Sequence, residues 1–339
     1  MGGGVNVEEF WAPWEAEASS FDEVSDLIYG LFDKWSKKGR VFAWRGQTDA
    51  SWPLHSSLYR RLCWSSSSPF SPQEVDMAQA ERRILADLHR WGLHMGEYGR
   101  LSVMGQLAVL QHYGAPTRLI DVTFNPWIGL WFAVEDKPAD DGVTADVDVR
   151  LFAIDVTDRL INERDESHRV WEDNLHFPWP NPTGPKASPK DRRMYRAWIT
   201  DVLAWRPPHF HPRIAAQNGG FLLGGVPATG AVVWPRSTIS GDGVWPIDDV
   251  RRATSVPLRV HKLGAEAGGP SADAMFTIRI KARAVAETRK RLQELCGYQH
   301  STIYPDYIGF AAFGTPQLRA APPTGLPFGS QLPLTLSVS

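Results

Sequence analysis

Apolar residues recur at helical spacing in the N-terminal third of the chain and predict two amphipathic helices. The first is predicted over Phe21–Trp35 with Ser20 as its N-cap, and the second over Pro72–His94. The apolar face of the first helix comprises Val24, Leu27, Ile28, Leu31 and Trp35. The face of the second helix that is expected to be buried comprises Ala80, Ile84, Leu85, Leu88 and Trp91. The charged residues expected on its solvated face comprise Glu74, Glu81, Arg82 and Arg83.

The segment Leu107–Glu135 combines apolar runs, turn signals and polar residues more densely than any other part of the chain. A helix is predicted to stop at Gly114, and a short strand is predicted over Thr117–Val122. Asn125 is a suitable N-cap and Pro126 suits the first helical position, so a second helix follows. We interpret the other elements of the chain as a scaffold that packs around this segment.

Short β-prone or alternating runs predict strands at Val41–Trp44, Val147–Ile154 and Ala274–Ile280, and a last helix over Ala284–Cys296. Helices come first and strands dominate later, which favours an α+β fold with a helical N-terminal part over a doubly wound α/β sheet. The chain divides into an N-terminal extension and helix (residues 1–31), a main domain (32–314) and a Pro/Gly-rich tail (315–339). Residues 174–190 are interpreted as a long loop of the main domain.

Charged residues that are flanked by apolar residues are the first candidates for functional residues. Arg118 and Asp121 are flanked by apolar residues, and buried charges are costly unless they are paired or used. One interpretation is an internal Arg–Asp pair that locks the turn; the other is a cleft that both residues line. Arg45 follows a predicted strand and precedes Gly46, which suits either an anionic ligand or a structural carboxylate.

The composition limits the function classes. The net charge is −2, so a surface for nucleic acid must be a local patch. Two cysteines provide no disulfide framework, and the pair His209 and His211 lacks a complete ligand set, so no metal site is expected. The N-terminal residues do not resemble a secretory signal, and no apolar run reaches the ~18 residues of a membrane helix, which predicts a cytoplasmic protein with no membrane contact.

Several common catalytic motifs are missing from the sequence. It contains no Walker A sequence, no G-x-S-x-G elbow, no H-E-x-x-H and no G-x-G-x-x-G after a strand. P-loop phosphoryl transfer, serine hydrolysis and zinc hydrolysis are therefore disfavoured.

Four sequence blocks occur in an order that is shared with a known family. They are Trp44-Arg45-Gly46-Gln47 with Trp52 and Leu54, Gln111-His112-Tyr113-Gly114 through Asn125-Pro126, Arg213-Ile214 with Gln217 and Phe221, and Gly297 with Tyr304-Pro305-Asp306 and Gly309. Together they resemble the FRG domain family, named for a Phe-Arg-Gly signature, from about Phe32 to Gly314. Trp44 replaces the signature phenylalanine, and Ile308 departs from the acidic or small residue typical of the last turn.

The resemblance implies a bacterial or phage-associated protein encoded near defence or toxin genes, with a pattern similar to that of ADP-ribosyltransferases. The implied fold is a helical N-terminal part packed on a mostly antiparallel, split β-sheet core. The implied activity is transfer of ADP-ribose from NAD to a nucleic-acid or protein acceptor, by a toxin or anti-phage effector with a possible antitoxin or inhibitor protein.

The same resemblance assigns residues to that activity. Arg45 would hold the NAD phosphates or ribose, and Gln217 would occupy a late position near the nicotinamide ribose. Asp121 would be the carboxylate that stabilises an oxocarbenium-like transition state. The other residues expected to bind the dinucleotide are Gly46, Gln47, Tyr113 (stacked on nicotinamide), Thr117, Arg118 and Thr123.

Two alternatives remain open. In the first, the protein is a non-catalytic module that binds a nucleotide or nucleic acid in a bacterial defence or toxin system. The arginines assigned to binding are then Arg45, Arg60, Arg61, Arg118 and Arg213, and the stacking residues are Trp44, Tyr113 and Trp127. In the second, the arginines and Asp121 only tie a large core together, and their loss would lower stability.

Overall fold

The computed structural model describes residues 6–35, 39–65, 71–96, 99–136, 147–161, 188–207, 211–229, 234–236, 243–262 and 274–315. Residues 174–187 of the predicted loop and residues 316–339 of the predicted tail lie outside these ranges. Among the described helices, none is long and apolar enough to cross a bilayer.

Twelve helices are formed by the described residues. They are α1 (Val7–Trp11), α2 (Phe21–Trp35), α3 (Ser57–Trp64), α4 (Glu74–Arg90), α5 (Val103–His112), α6 (Pro126–Val134), α7 (Pro189–Thr200), α8 (Pro212–Ala216), α9 (Ile247–Ala253), α10 (Ala282–Cys296), α11 (His300–Ile303) and α12 (Tyr307–Gly309). A π-helical turn, Phe310–Gly314, follows α12.

The described strands form one large mixed sheet and a small hairpin. They are β1 (Ala16–Ala18), β2 (Phe42–Gln47), β3 (Met95–Gly96), β4 (Gly99–Arg100), β5 (Ile120–Thr123), β6 (Val149–Asp155), β7 (Leu160–Ile161), β8 (Leu203–Trp205), β9 (Gly219–Leu223), β10 (Arg259–Val260) and β11 (Ala274–Ile280). The large sheet has the order β1-β11-β6-β2-β5-β9-β8-β7, with β10 also paired to β11. The β11–β6, β6–β2, β2–β5, β5–β9 and β9–β8 pairs are antiparallel.

The sheet is continuous, but it is narrow at one joint. β2 pairs with β6 from Phe42 to Gln47, whereas β2 and β5 share the single residue pair Trp44–Thr123. Beyond Trp44 the two strands diverge. The α+β class is therefore confirmed. In place of the predicted split, the sheet has this narrow joint at the Trp44–Thr123 pair, and Arg45 directly follows Trp44.

Helices cover both faces of the sheet. Trp44 belongs to a core cluster that includes residues of α2, α6 and α10, whereas its neighbour Ala43 belongs to a second cluster that includes residues of α1 and α9. Because both faces are covered, every residue of β6 is buried. β1 pairs with β11 and α2 joins the first cluster, so the predicted boundary at residues 31–32 falls inside α2 and within a continuous core.

The helix predicted over Pro72–His94 is present as α4, but its burial differs from the prediction. Glu81 is fully buried, whereas Trp91 is 79% exposed. Glu81 faces the core because it pairs with the buried guanidinium of Arg118. Trp91 is exposed because α4 ends at Arg90 and the chain turns at Gly92, where φ is +75°.

The helix ends and caps of the central segment form as its local signals predict, but its strand is β5 (Ile120–Thr123) and not Thr117–Val122. Gly114, with φ of +79°, follows the end of α5. The Asn125 side chain accepts hydrogen bonds from the backbone N–H groups of Trp127 and Ile128, and Pro126 occupies the first position of α6. This segment therefore places α5, β5 and α6 around the narrow joint of the sheet.

Candidate functional site

A cleft of about 240 Å³ opens where β2 and β5 diverge. The backbone C=O of Asp121 accepts a hydrogen bond from Arg45 Nη1 at 2.9 Å, which bridges the two strands at this point. The polar side chains that line the cleft come from segments far apart in the chain: Arg45, Gln111, His112, Asp121, Glu135, Arg213, Gln217 and Tyr304.

Arg45 is the cation of the cleft that the protein neutralises least. Among the described residues, the one carboxylate within 4 Å is that of Asp121, with its Oδ2 3.7 Å from Arg45 Nη1. The side chain is 28% exposed, and its buried Nε has no hydrogen-bond partner in the described part of the chain. Arg45 therefore keeps donor capacity for an anionic ligand.

The Asp121 carboxylate is oriented by a hydrogen-bond relay from α5. Gln111 Nε2 donates to Asp121 Oδ2 at 3.1 Å, and Gln111 Oε1 accepts a hydrogen bond from Thr117 Oγ1 at 2.6 Å. The bond from Thr117 fixes the orientation of the Gln111 amide, so its nitrogen faces Asp121. Thr117 itself is fully buried and does not line the cleft, so it positions Gln111 instead of contacting a ligand.

Two partly buried pairs form the opposite wall. Arg213 donates from Nε and Nη2 to the two oxygens of Asp306 at 2.7 and 2.6 Å, and its guanidinium lies 5.1 Å from the centre of the Tyr304 ring. Tyr304 donates its hydroxyl to Glu135 Oε2 at 2.7 Å. Burial and the neighbouring charge of Glu135 raise the pKa of Tyr304, so its phenol keeps the proton that it donates.

The residues of this wall also shift the pKa values of Asp306 and His112. Burial by itself would raise the pKa of the Asp306 carboxyl, but hydrogen bonds from Arg213 and from the backbone N–H of Gly309 hold it below its usual range. Burial, and then the neighbouring His211 and Arg213, lower the pKa of His112. At neutral pH, Asp306 is therefore charged and His112 is neutral.

Gln217 lines the cleft from the end of a helix. It is the C-cap of α8, two residues before β9. Its Nε2 donates to the backbone C=O of Ile303 at 3.1 Å, and its own backbone C=O accepts from Thr123 Oγ1 at 2.6 Å. Thr123 is fully buried, so it positions Gln217 and does not line the cleft.

The structure places Arg118 elsewhere, which corrects its assignment to ligand binding. Arg118 is 1% exposed, and its Nε donates to both oxygens of Glu81 at 2.7 Å. Its Nη1 donates to Glu74 Oε1 at 3.0 Å. The interpretation of an internal ion pair is correct for Arg118, but its partners are two glutamates of α4 and not Asp121.

Four other assignments also change. Tyr113 is 71% exposed and lies outside the cleft lining, and Trp44 is 1% exposed, so a base cannot stack on it. Gln47 is buried and donates to the backbone C=O of Pro53. Gly46 lines the cleft, but its missing side chain makes room for α6: an added Cβ would lie 2.2 Å from the backbone O of Gly129.

Sequence reasoning missed the roles of Gln111, Glu135 and Tyr304 in the cleft. Glu135 is 7% exposed and directly follows the nine residues of α6, none of which is charged. A lone carboxylate at the end of such a helix is a signal that could have marked it, because burying it requires a partner. Its partner Tyr304 is 169 residues away in the chain, which no local pattern reveals.

We expect Tyr304→Phe to lower the free energy of unfolding by about 1–3 kcal/mol, because the buried Glu135 loses a hydrogen bond to its charged oxygen. Tyr113→Phe is the matched control: Tyr113 is exposed, and its hydroxyl has no hydrogen-bond partner among the described residues, so we expect a change within about 0.5 kcal/mol. Urea denaturation of both variants checks this. Equal effects would mean that the Tyr304–Glu135 bond adds nothing to stability.

Comparison with known proteins identifies one family. Residues 40–142 match the model of the FRG domain family, which confirms the resemblance over that segment. The match includes Arg45, Gln111, His112, Asp121 and Glu135, whereas Arg213, Gln217 and Tyr304 of the cleft lining lie C-terminal to it. No curated protein and no solved structure matches the chain.

Proposed function

We propose that the cleft binds NAD and that the protein transfers ADP-ribose from it to a nucleic-acid or protein acceptor. The observation that carries the proposal is the state of Arg45. This arginine lies at the divergence of two strands, has a buried Nε without a partner among the described residues, and lines a cleft that also contains a buried carboxylate, Glu135.

The first step is recognition of the phosphates. A guanidinium that is only loosely paired with Asp121 can exchange this contact for two charge-assisted hydrogen bonds to a diphosphate. Arg213 is already neutralised by Asp306, so Arg45 is the arginine of the cleft lining that is most available to an added anion.

The second step is cleavage of the nicotinamide–ribose bond. Nicotinamide leaves with the bonding electron pair, and positive charge develops on the ribose carbon and its ring oxygen. In this proposal, Asp121 supplies a nearby negative charge, and the Oε1 of Gln217 accepts a hydrogen bond from a ribose hydroxyl, since its Nε2 already donates to the backbone C=O of Ile303. The acceptor nucleophile then forms the new bond to the ribose carbon and loses its proton.

A cellular role follows from this chemistry. Transfer of ADP-ribose to nucleic acid or protein inactivates the acceptor, which suits a toxin or an anti-phage effector. Such a protein requires restraint in its own cell, so an antitoxin or inhibitor protein is the expected partner.

A specific observation supports a second candidate, which is binding of a nucleotide without transfer. Each carboxylate at the cleft already accepts a hydrogen bond from the chain itself: Asp121 from Gln111, Glu135 from Tyr304, and Asp306 from Arg213. A site whose carboxylates are held in this way can recognise a ligand without taking part in bond cleavage.

The test is incubation of the purified protein with NAD labelled in its adenylate part, together with separate pools of RNA, single-stranded DNA, double-stranded DNA and cell protein. We expect transfer of the label and release of nicotinamide. We expect Arg45→Ala to lower both rates by about 100-fold or more, because the phosphates lose their main cation. The matched control is Arg90→Ala, since Arg90 is 76% exposed on α4 and outside the cleft; its rates should be unchanged.

The outcomes separate the two candidates. Saturable NAD binding that is lost in Arg45→Ala, without transfer or nicotinamide release in any pool, would favour the binding module. Full transfer by Arg45→Ala would contradict the role of Arg45 in either candidate. Far-UV circular dichroism of each variant shows whether its fold is retained.

A further inference from the structure

Three side chains with metal-binding atoms meet beside the cleft. His112 is the last residue of α5, His211 is the N-cap of α8, and Asp306 is the N-cap of α12. Each offers one ligand atom, and these atoms all lie within 4.8 Å of one another. The imidazole ring centres of His112 and His211 are 3.9 Å apart.

The two imidazoles are underused as hydrogen-bonding groups. Within the described ranges, the ring nitrogens of His112 form no hydrogen bond. The one bond of the His211 ring there is at Nδ1, which accepts from the backbone N–H of Arg213 at 3.3 Å. Three nitrogens of these two adjacent, half-buried imidazoles thus have no hydrogen-bond partner among the residues that the structure describes, which is an unusual use of histidine.

We propose that His112, His211 and Asp306 bind a divalent transition-metal ion such as Zn²⁺. Two imidazole nitrogens and one carboxylate oxygen are a donor set that zinc accepts, whereas Mg²⁺ and Ca²⁺ require mainly oxygen ligands. Three protein ligands leave a fourth coordination position for water or a ligand oxygen. Because His112 lines the cleft, this position adjoins the proposed nucleotide site.

The distances require a small contraction of the cluster. Zinc bonds of about 2.0 Å in tetrahedral geometry bring ligand atoms to roughly 3.3 Å from one another. His211 Nδ1 and Asp306 Oδ2 are already 4.0 Å apart. A metal at Nδ1 replaces its 3.3 Å hydrogen bond from the backbone N–H of Arg213, because the nitrogen has one lone pair. Rotation of the two imidazoles supplies the remaining movement.

The positive charge of Arg213 repels a metal cation and lowers the expected affinity of the cluster for it. Its guanidinium neutralises Asp306, which also accepts a hydrogen bond from the backbone N–H of Gly309. Each carboxylate oxygen has two lone pairs, so Asp306 can keep these bonds as it binds a cation. The cluster and Arg213 together have no net negative charge, so we expect a dissociation constant on the order of micromolar, weaker than that of a structural zinc site.

A local reading of the sequence could not find this site. The nearby histidine His209 lies outside the described residues, and the ligands that meet His211 come from positions 112 and 306. The expectation of no metal rested on the pair at positions 209 and 211, which is incomplete by itself.

The test is calorimetric titration of the tag-free protein with Zn²⁺, repeated with Co²⁺ to record its visible absorption. We expect one ion per chain and Co²⁺ bands typical of a tetrahedral site. His112→Gln and His211→Gln should each weaken binding more than about tenfold. The matched control is His94→Gln, because His94 and His89 also stack, at 4.3 Å, but have no third ligand among the described residues.

Thermal unfolding shows whether a variant binds Zn²⁺ weakly because it lacks a metal ligand or because it is unfolded. Zn²⁺ should raise the melting temperature of the wild type and of His94→Gln, and should leave that of a folded His112→Gln unchanged. The absence of saturable binding to the wild type, or binding that His94→Gln abolishes and His112→Gln retains, would overturn the proposal. These readouts involve no NAD, so they are independent of the transferase activity proposed above.

Discussion

Gly46→Ala is expected to lower the free energy of unfolding by about 3 kcal/mol or more, because helix α6 packs against the backbone of β2 at this residue. A Cβ at Gly46 would lie 2.2 Å from the backbone O of Gly129 and 2.4 Å from the backbone N of Ala133. Both atoms belong to helical backbone and cannot rotate away. Relief requires α6 to move off the sheet, which would disturb the cores on that face and the position of Glu135.

The control for Gly46→Ala is Gly30→Ala. Gly30 lies within α2, and a Cβ there would meet no atom within 4 Å. Alanine in a helix interior should therefore raise stability by up to about 1 kcal/mol. Urea denaturation followed by circular dichroism measures both changes. If Gly46→Ala were as stable as the wild type, the close approach of α6 to β2 would be contradicted.

Glu81→Ala is expected to lower the free energy of unfolding by about 3–5 kcal/mol, because it leaves the buried charge of Arg118 incompletely paired. Arg118 Nη2 and Glu81 Oε2 are 2.5 Å apart, and both side chains are 1% exposed. Burial alone would lower the pKa of Arg118, but Glu74 and Glu81 raise it, so the guanidinium keeps its charge in the core. Glu74, the remaining partner, is less buried and also accepts from the backbone N–H of Val226.

Asp87→Ala on the same helix is the matched control for Glu81→Ala. The Asp87 side chain is 54% exposed and pairs with the exposed Arg90, so its loss should change stability by less than about 0.5 kcal/mol. Equilibrium denaturation of the two variants gives the comparison. Similar small losses for both would show that water enters to solvate Arg118 and that the pair is not a fixed part of the core.

The Arg118–Glu81 pair also shows why part of the candidate site was misassigned. The sequence places Arg118 and Asp121 in one apolar segment, which suggests that they share a partner or a ligand. In the fold, Arg118 precedes β5 and its side chain reaches α4, whereas Asp121 lies within β5 at the cleft and is 55% exposed. The partners of Arg118, Glu81 and Glu74, lie 37 and 44 residues away in the chain. The apolar residues around Arg118 and Asp121 therefore could not show that the two side chains have different surroundings.

For Arg45, the local pattern left open an anionic ligand or a structural carboxylate. In the structure Arg45 lies within β2, and not after it, and lines the cleft together with Asp121 and Gln217. The reason for Gly46 differs from the prediction, since the glycine admits a helix and not a ligand.

The sequence by itself determined the type and place of most local elements, and their ends where a cap or a glycine marks them. The cap of α6 by Asn125, the glycine that follows α5 and the bounds of β11 (Ala274–Ile280) all depend on neighbours within a few residues, so periodicity and capping predict them. Tertiary structure alone decided which charges meet. The pairing of Tyr304 with Glu135, of Arg213 with Asp306, and the meeting of His112 with His211 require strand divergence and helix docking across more than 90 residues. These contacts depend on distance in space, and sequence spacing carries little information about it.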